Sequence, residues 1–438
     1  MSAHFKQVAW SNGSNIYEVN IRQYTPEGTF AAFAKHLPRL KKMGVEIIWF
    51  MPVTPISKEK RQGSLGSYYA CSSYVNVNPE YGNFQDFKNV VDTIHALGMK
   101  VIIDWVANHT GWDHEWTISN PEFYLLDDEG NFTEKNGWED VIGLDYTNKH
   151  LHEAMIQSMK FWVEKFDIDG FRCDMAHLVP LDFWHDARRQ SDALKPLYWL
   201  AECEDKKYFE IFDTEYAWAW MHISEDVAQQ KNTVHEMRDL LRNYASFPGR
   251  YMLFTSNHDE NSWNGTDREK YGEGLEAFAV MASTWPGIFL LYSGQEIPLA
   301  KRLLFFEKDT INWKQELKME AFYQSLFSLR KSNSCVQSET KIFLLETGSD
   351  DKLFSYLCIN KKESMLVILN LTGFDRIKAS LAHKNLQGDY VEYFSGSHET
   401  MNISKAITLD AWEYKVYISE VKNSSQSFIV SMKLARLP

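Results

Sequence analysis

The chain has 438 residues, 44% of them hydrophobic, which is ample for a large core and more than one domain. Its formal net charge of −13 argues against nucleic acid or an anionic membrane as a partner. Cys71, Cys173, Cys203, Cys335 and Cys358 show no CxxC spacing and fit reduced thiols better than a disulfide frame or a zinc site. No apolar run reaches transmembrane length, and Met1-Ser-Ala-His-Phe-Lys6 lacks the apolar stretch of a signal peptide. A cytoplasmic protein is the simplest expectation, or a secreted or periplasmic one whose signal has been removed.

Taken in order, Ile16-Tyr-Glu-Val-Asn20 alternates as a strand and a helical pattern runs from Thr29 to Met43. Val45–Met51 is a second apolar strand, stopped by Pro52 and Pro55. A helical run from Phe84 to Leu97 leads to a third strand at Lys100. Further strands are predicted over Asp167–Asp174, Leu197–Ala201, Phe212–Ala217, Tyr251–Thr255 and Ile288–Tyr292, with helices between them. This alternation predicts a (β/α)₈ barrel. One connection is long: about 40 residues, rich in Trp, Asp, Gly and Asn, separate the third strand from the helix near Leu151. Insertions of that length in a compact domain are usually functional. After Lys331, Ser332–Glu339 reads as a polar linker, followed by strands over 341–345, 353–359, 365–371, 390–394 and 412–419. These predict a β-sandwich without candidate catalytic groups. Residues 420–438 carry no clear pattern.

The chemistry concentrates at strand ends. In Asp167-Ile-Asp-Gly-Phe-Arg-Cys-Asp174, Arg172 and Asp174 share one face because the side-chain period of a strand is two. An arginine beside a carboxylate favours its ionised form, as a nucleophile or charge stabiliser requires. Asp104-Trp-Val-Ala-Asn-His109, Ala201-Glu202-Cys203 and Phe254-Thr-Ser-Asn-His-Asp259 likewise close apolar runs. Strands that each end in an acid, His or Asn point to one site at the C-terminal end of a parallel barrel.

In this order and spacing, the four segments resemble the α-amylase family of glycoside hydrolases. The resemblance extends from Ile16 through Gly294-Gln-Glu296 into the C-terminal strands. It implies an α/β fold: a (β/α)₈ TIM barrel over 1–332, a short inserted domain B over 109–146, and an all-β sandwich over 333–438. Retaining cleavage of a glycosidic bond needs two carboxyl groups in opposite protonation states. By resemblance, Asp174 is the nucleophile and Glu202 the acid/base, kept protonated by desolvation at the end of an apolar strand. Asp259 is the third acid, binding sugar hydroxyls. His109 and His258 are expected to hydrogen-bond the same sugar, with Arg172 beside the nucleophile, Asp104 bracing Arg172, and Asn108 as structural support. The loop Gly66-Ser-Tyr-Tyr-Ala-Cys-Ser-Ser-Tyr74 resembles the family's loop after the second strand and puts Tyr69 where a ring stacks on glucose. Ser73 departs from the family's Asp there, and Tyr68 is the alternative. His177 stands where the family usually has Lys and is expected to face the leaving-group sugar. Cys173 and Cys203, beside the acids, are expected to be packing residues.

The resemblance also bears on metal. Many members hold calcium between the barrel and domain B, through the Asn of the third-strand segment and an Asp near the end of domain B. Here Asn108 is present but Gly143 stands in the place of the Asp. Calcium wants six to eight oxygens, several anionic, so no metal or other cofactor is expected. Asp127-Asp-Glu-Gly-Asn131 has the composition of an ion loop and equally of an exposed turn. The expected function is a retaining α-amylase acting on α-1,4 bonds of starch, glycogen or maltodextrins, of unknown oligomeric state. The alternatives are an α-glucanotransferase or an α-1,6-acting glucosidase with the same site, and a non-catalytic carbohydrate-binding or scaffold relative. A metal hydrolase on His109, His177 and His258 lacks HxH or HExxH spacing.

Overall fold

Short runs of Ile, Val, Leu and aromatic residues become strands because they fill a barrel buried on both faces. The computed structural model describes residues 5–297, 299–361 and 363–419. In chain order the first strands are β1 (Asn15–Val19), β2 (Ile47–Phe50) and β3 (Lys100–Trp105). The insertion after β3 carries the short antiparallel pair β4 (His109–Gly111) and β5 (Val141–Gly143). Then come β6 (Gly170–Cys173), β7 (Tyr198–Ala201), β8 (Thr214–Tyr216), β9 (Tyr251–Leu253) and β10 (Ile288–Tyr292). β1–β3 and β6–β10 close into a parallel barrel in the order β1-β10-β9-β8-β7-β6-β3-β2. Gly170 permits the approach of β6 to β7, since a Cβ there would sit 2.0 Å from the Tyr198 carbonyl oxygen.

Helices such as Phe84–Ala96, Lys149–Phe166 and Leu275–Thr284 pack around the barrel. The first of these begins at a reciprocal cap between Asn83 and Asp86. The helix expected over 29–43 is two helices, Phe30–Ala34 and Leu37–Met43, because Pro38 opens a new first turn. No helix among the described residues is long and apolar enough to cross a membrane. All five cysteines are buried and free.

Beyond the barrel lie β11 (Lys341–Leu344), β12 (Leu353–Asn360), β13 (Glu363–Asn370), β14 (Ile377–Ala382), β15 (Gly388–Glu392), β16 (His398–Met401), β17 (Ser404–Leu409) and β18 (Tyr414–Ser419). They form a six-stranded sheet, β11-β12-β13-β18-β15-β16, faced by the pair β14-β17. Leu353, Leu357, Leu366, Leu381 and Leu409 fill the space between them. The alternate residues Phe354, Tyr356, Val367 and Leu369 join the barrel's own core. The segment read as a polar linker is a packed joint instead: Cys335 and Val336, in the turn Ser334–Val336, are fully buried. The C-terminal part of the sandwich reading, 420–438, lies outside the described residues, as do the first four residues.

Candidate active site

Arg172 is the centre of the site. The β3–β6 register sets Asp104 directly beside it, and Cys173 opposite Ala201 carries Asp174 and Glu202 out of adjacent strands at one level. Two further amides prolong the ladder: Asp174 N–H donates to the Trp105 carbonyl and Glu202 N–H to that of Cys173, both at 3.0 Å. Arg172 Nη1 donates to Asp104 Oδ1 and Asp174 Oδ1, each at 2.9 Å, and Nε donates to the Tyr216 hydroxyl at 3.0 Å. Nη2 lies 2.8 Å from Glu202 Oε1, close enough to pair the charges but off the line of a hydrogen bond. The other oxygen of Glu202 accepts from the Met175 N–H at 2.8 Å. Met175 reaches it from a left-handed backbone conformation, φ 42° and ψ 45°.

One guanidinium is thus shared among three buried carboxyl groups. Burial raises Asp174 to about 6 and Glu202 further, to about 7, with Arg172 pulling both back. Arg172 favours the ionised form of Asp174 as expected, but its charge is divided and desolvation outweighs each share. Both carboxyl groups are thus held above their ordinary range by burial.

His258 forms a second node. Its Nδ1 lies 2.5 Å from Glu18 Oε1, and its Nε2 lies 2.6 Å from the Tyr69 hydroxyl and 3.2 Å from Asp259 Oδ2. Burial opposes protonation, but Asp259 and Glu18 raise the imidazole to about 9, so it is a cation at neutral pH. The Tyr69 hydroxyl also donates to Asp104 at 3.2 Å, tying the two nodes together. Glu18 is a buried carboxylate inside β1 that the sequence reading passed over; an acid in an otherwise buried apolar strand was its signal.

Asp174, Glu202, Asp259, Tyr69 and His109 line one pocket of about 320 Å³. His109 is buried, and burial lowers it to about 4, so it is a neutral imidazole. Its Nδ1 meets Asn108 Nδ2 at 3.2 Å and its ring meets Trp138 edge-on at 5.3 Å. Tyr68 lies under the Arg22 guanidinium and outside the pocket lining. His177 is not brought to the cluster: it is exposed on the turn Ala176–Leu178, where the chain leaves the barrel mouth. The pocket also draws on Trp138, Trp263, Phe305 and Phe306, which no motif singled out. Their signal was only that of aromatic residues in loops.

A family model described as the α-amylase catalytic domain matches residues 4–131. The maltogenic α-amylase AmyB of Thermotoga neapolitana is 30% identical, with a TM-score of 0.86, over 93% of this chain and 99% of that one. The chain belongs to the α-amylase family of glycoside hydrolases. An α-amylase of Lactobacillus plantarum is 29% identical over 94% of this chain and all of that one, with a TM-score of 0.83. Among curated relatives, α-amylase MalA of Haloarcula japonica is 24% identical over 83% of the chain. The chain spans 56% of that relative's length.

The calcium that the α-amylase family implies does not fit the residues here. Gly143 offers no carboxylate, and Leu125 Cδ1 packs over it, 2.8 Å from where a Cβ would lie. The Asn108 side chain meets His109 through Nδ2, and its backbone carbonyl accepts from Leu144 N–H at 3.0 Å. Asp127 spends Oδ1 on the Glu129 and Asn131 amides of its own exposed turn. Among the described residues no three His, Cys, Asp or Glu side chains gather as a metal site.

Proposed function

We propose that this chain is a retaining glycoside hydrolase acting on α-1,4-glucosidic bonds of starch, glycogen or maltodextrins. The observation that carries the reading is the pair Asp174 and Glu202, buried on adjacent strands around one arginine. Asp174 engages Arg172 through Oδ1, which leaves Oδ2 to attack the anomeric carbon. Glu202 gives its proton to the leaving glycosidic oxygen and then takes one from water. Carboxyl groups held by the two ends of one guanidinium suit the short separation, about 5–5.5 Å, that a direct double displacement needs.

The surrounding groups serve the sugar. Tyr69 offers a ring face to its C–H surface. Asp259, partly open to solvent, accepts from hydroxyls beside neutral His109, while protonated His258, with both N–H groups held by Glu18 and Tyr69, positions Tyr69 and Asp259. As positive charge grows on the ring in the transition state, Asp174, Asp259 and Asp104 supply a negative environment that is already in place.

Proton NMR during early hydrolysis of maltoheptaose tests the reading, with pullulan and starch assayed beside it. The α-anomer should accumulate before mutarotation. An initial β-anomer, or no turnover of any of the three glucans, would overturn the proposal.

A further inference from the structure

The rim of the pocket is pinned shut along one side. The loop after β2 and the loop after β10 are joined by Leu65 N–H to the Phe306 carbonyl at 3.1 Å and by Ser64 N–H to Glu307 Oε1 at 2.8 Å. The Ser64 hydroxyl donates to the other oxygen of Glu307. Gly63 makes this contact possible: its φ is +62°, and a Cβ there would lie 2.5 Å from Phe306 Cβ. The clasp is anchored from behind by Gln23, whose Nε2 donates to the Leu304 and Glu307 carbonyls at 2.9 and 2.8 Å. Buried Arg22 donates to the Gly66 and Leu65 carbonyls at 3.0 and 3.2 Å.

The wall continues to both sides. Gln62 reaches Asp140 of the insertion at 3.4 Å, and Lys60 sits over the Trp112 ring there, 3.1 Å from its centre. In the other direction Asn261, beyond β9, holds Leu303 N–H at 2.9 Å. Phe305 stands between, nearly parallel to Tyr69 at 6.3 Å and 5.3 Å from Trp263.

Barrel order locates this wall relative to the chemistry. β10, β1 and β2 are consecutive, and β7, which carries Glu202, lies diametrically across the mouth from β1. Glu202 therefore enters the mouth from the side opposite the clasp. At about 320 Å³ the pocket is at the small end of ligand sites, roughly 300–1,000 Å³.

We infer that the clasp of Ser64, Leu65, Phe306 and Glu307 makes the site a blind pocket for the non-reducing end of an α-glucan. The enzyme cuts from that end and releases one or two glucosyl units, while the remainder of the chain leaves by the β7 side. This inference rests on the α-glucan reading above.

The test compares p-nitrophenyl α-maltoheptaoside with the same compound carrying a 4,6-O-ethylidene block on its non-reducing glucose, the fragments being separated by chromatography at early times. The free substrate should give one short saccharide and a long labelled remainder, and the blocked one should react at least about tenfold more slowly. Equal rates, or a mixture of mid-chain fragments from the start, would overturn the inference and leave the α-glucan reading standing. Inertness of both compounds would instead remove the α-glucan reading. Ser64→Ala and Glu307→Gln, made separately and checked by thermal unfolding, should each raise the blocked-to-free rate ratio severalfold. An unchanged ratio in a folded variant would show that the clasp does not set the preference.

Discussion

Strand β6 has an aspartate just beyond each end, and the two sit in opposite balances of charge. At the N-terminal end, Asp169 meets His95 Nε2 at 2.7 Å, Lys100 Nζ at 3.0 Å, Lys195 Nζ at 3.2 Å and the Val101 N–H at 3.0 Å. Burial works against it, yet these donors hold it down at about 2. At the C-terminal end, Asp174 has one share of Arg172 and is pushed up to about 6. Two lysines and His95 surround Asp169, with Asp167 sharing Lys195, whereas acids outnumber Arg172 at the other end. In a parallel barrel the first arrangement stabilises the fold and the second prepares it for chemistry.

The signs of the pH effects follow. Asp169 is depressed, so its stabilisation is present above the ordinary aspartate range near 3.9 and is lost as pH falls through about 2. Asp174 and Glu202 are raised, so they favour the folded state at low pH, and that contribution is lost as pH rises from about 4 to 7.

The strongest way to break the comparison is to neutralise the upper acids. Asp174→Asn and Glu202→Gln should each lower kcat on maltodextrin by about 10³-fold or more. Their melting temperatures near neutral pH should hold or rise above that of the parent, and the gain should fade towards about pH 4.5. Near-parental rates would remove both residues from the chemistry. At the other end of the strand, Asp169→Asn should cost about 2–4 kcal/mol in urea unfolding while kcat of the folded protein changes less than about twofold. A loss of rate without loss of stability would refute the division between the ends. The smallest effect sharpens the comparison. If Arg172 and His258 alone offset the upper acids, EDTA should move the melting temperature by less than about 1 °C, and added calcium should not reverse any shift. A fall of many degrees on chelation would mean that a bound cation completes the balance.

The sequence announced the barrel because strands buried on both faces must be written in long apolar side chains, as in Val101-Ile-Ile103 and Ile288-Phe-Leu-Leu-Tyr292. It was silent on β14 and β17, whose alternate residues face solvent and are Lys, Ser, Thr or Ala in short stretches such as Ile377-Lys-Ala-Ser-Leu-Ala382. The segments carrying Asp104, Arg172, Asp174 and Glu202 could be read together because each acid closes a strand. Glu18 sits inside its strand rather than at the end, so alternation alone gave it no role, although it shares His258 with Asp259. The wall of Phe305 and Phe306 depends on contacts between loops more than two hundred residues apart, such as Ser64 with Glu307. No local pattern encodes such a meeting.

The C-terminal sheet carries no candidate chemistry, but its inner face has a further consequence. Tyr356 of β12 hydrogen-bonds Thr284 at 2.6 Å and packs on Trp285 at 5.2 Å, at the end of the barrel helix Leu275–Thr284. Arg238, on the helix Val234–Tyr244, pairs with Asp350 at 2.9 Å. Because Phe354, Tyr356, Val367 and Leu369 belong to the same continuous core as the barrel, the sheet acts as a missing layer of the barrel's outer shell. Cutting the chain at the joint would leave an oily wound on that flank, and the two halves are built to melt together rather than in turn.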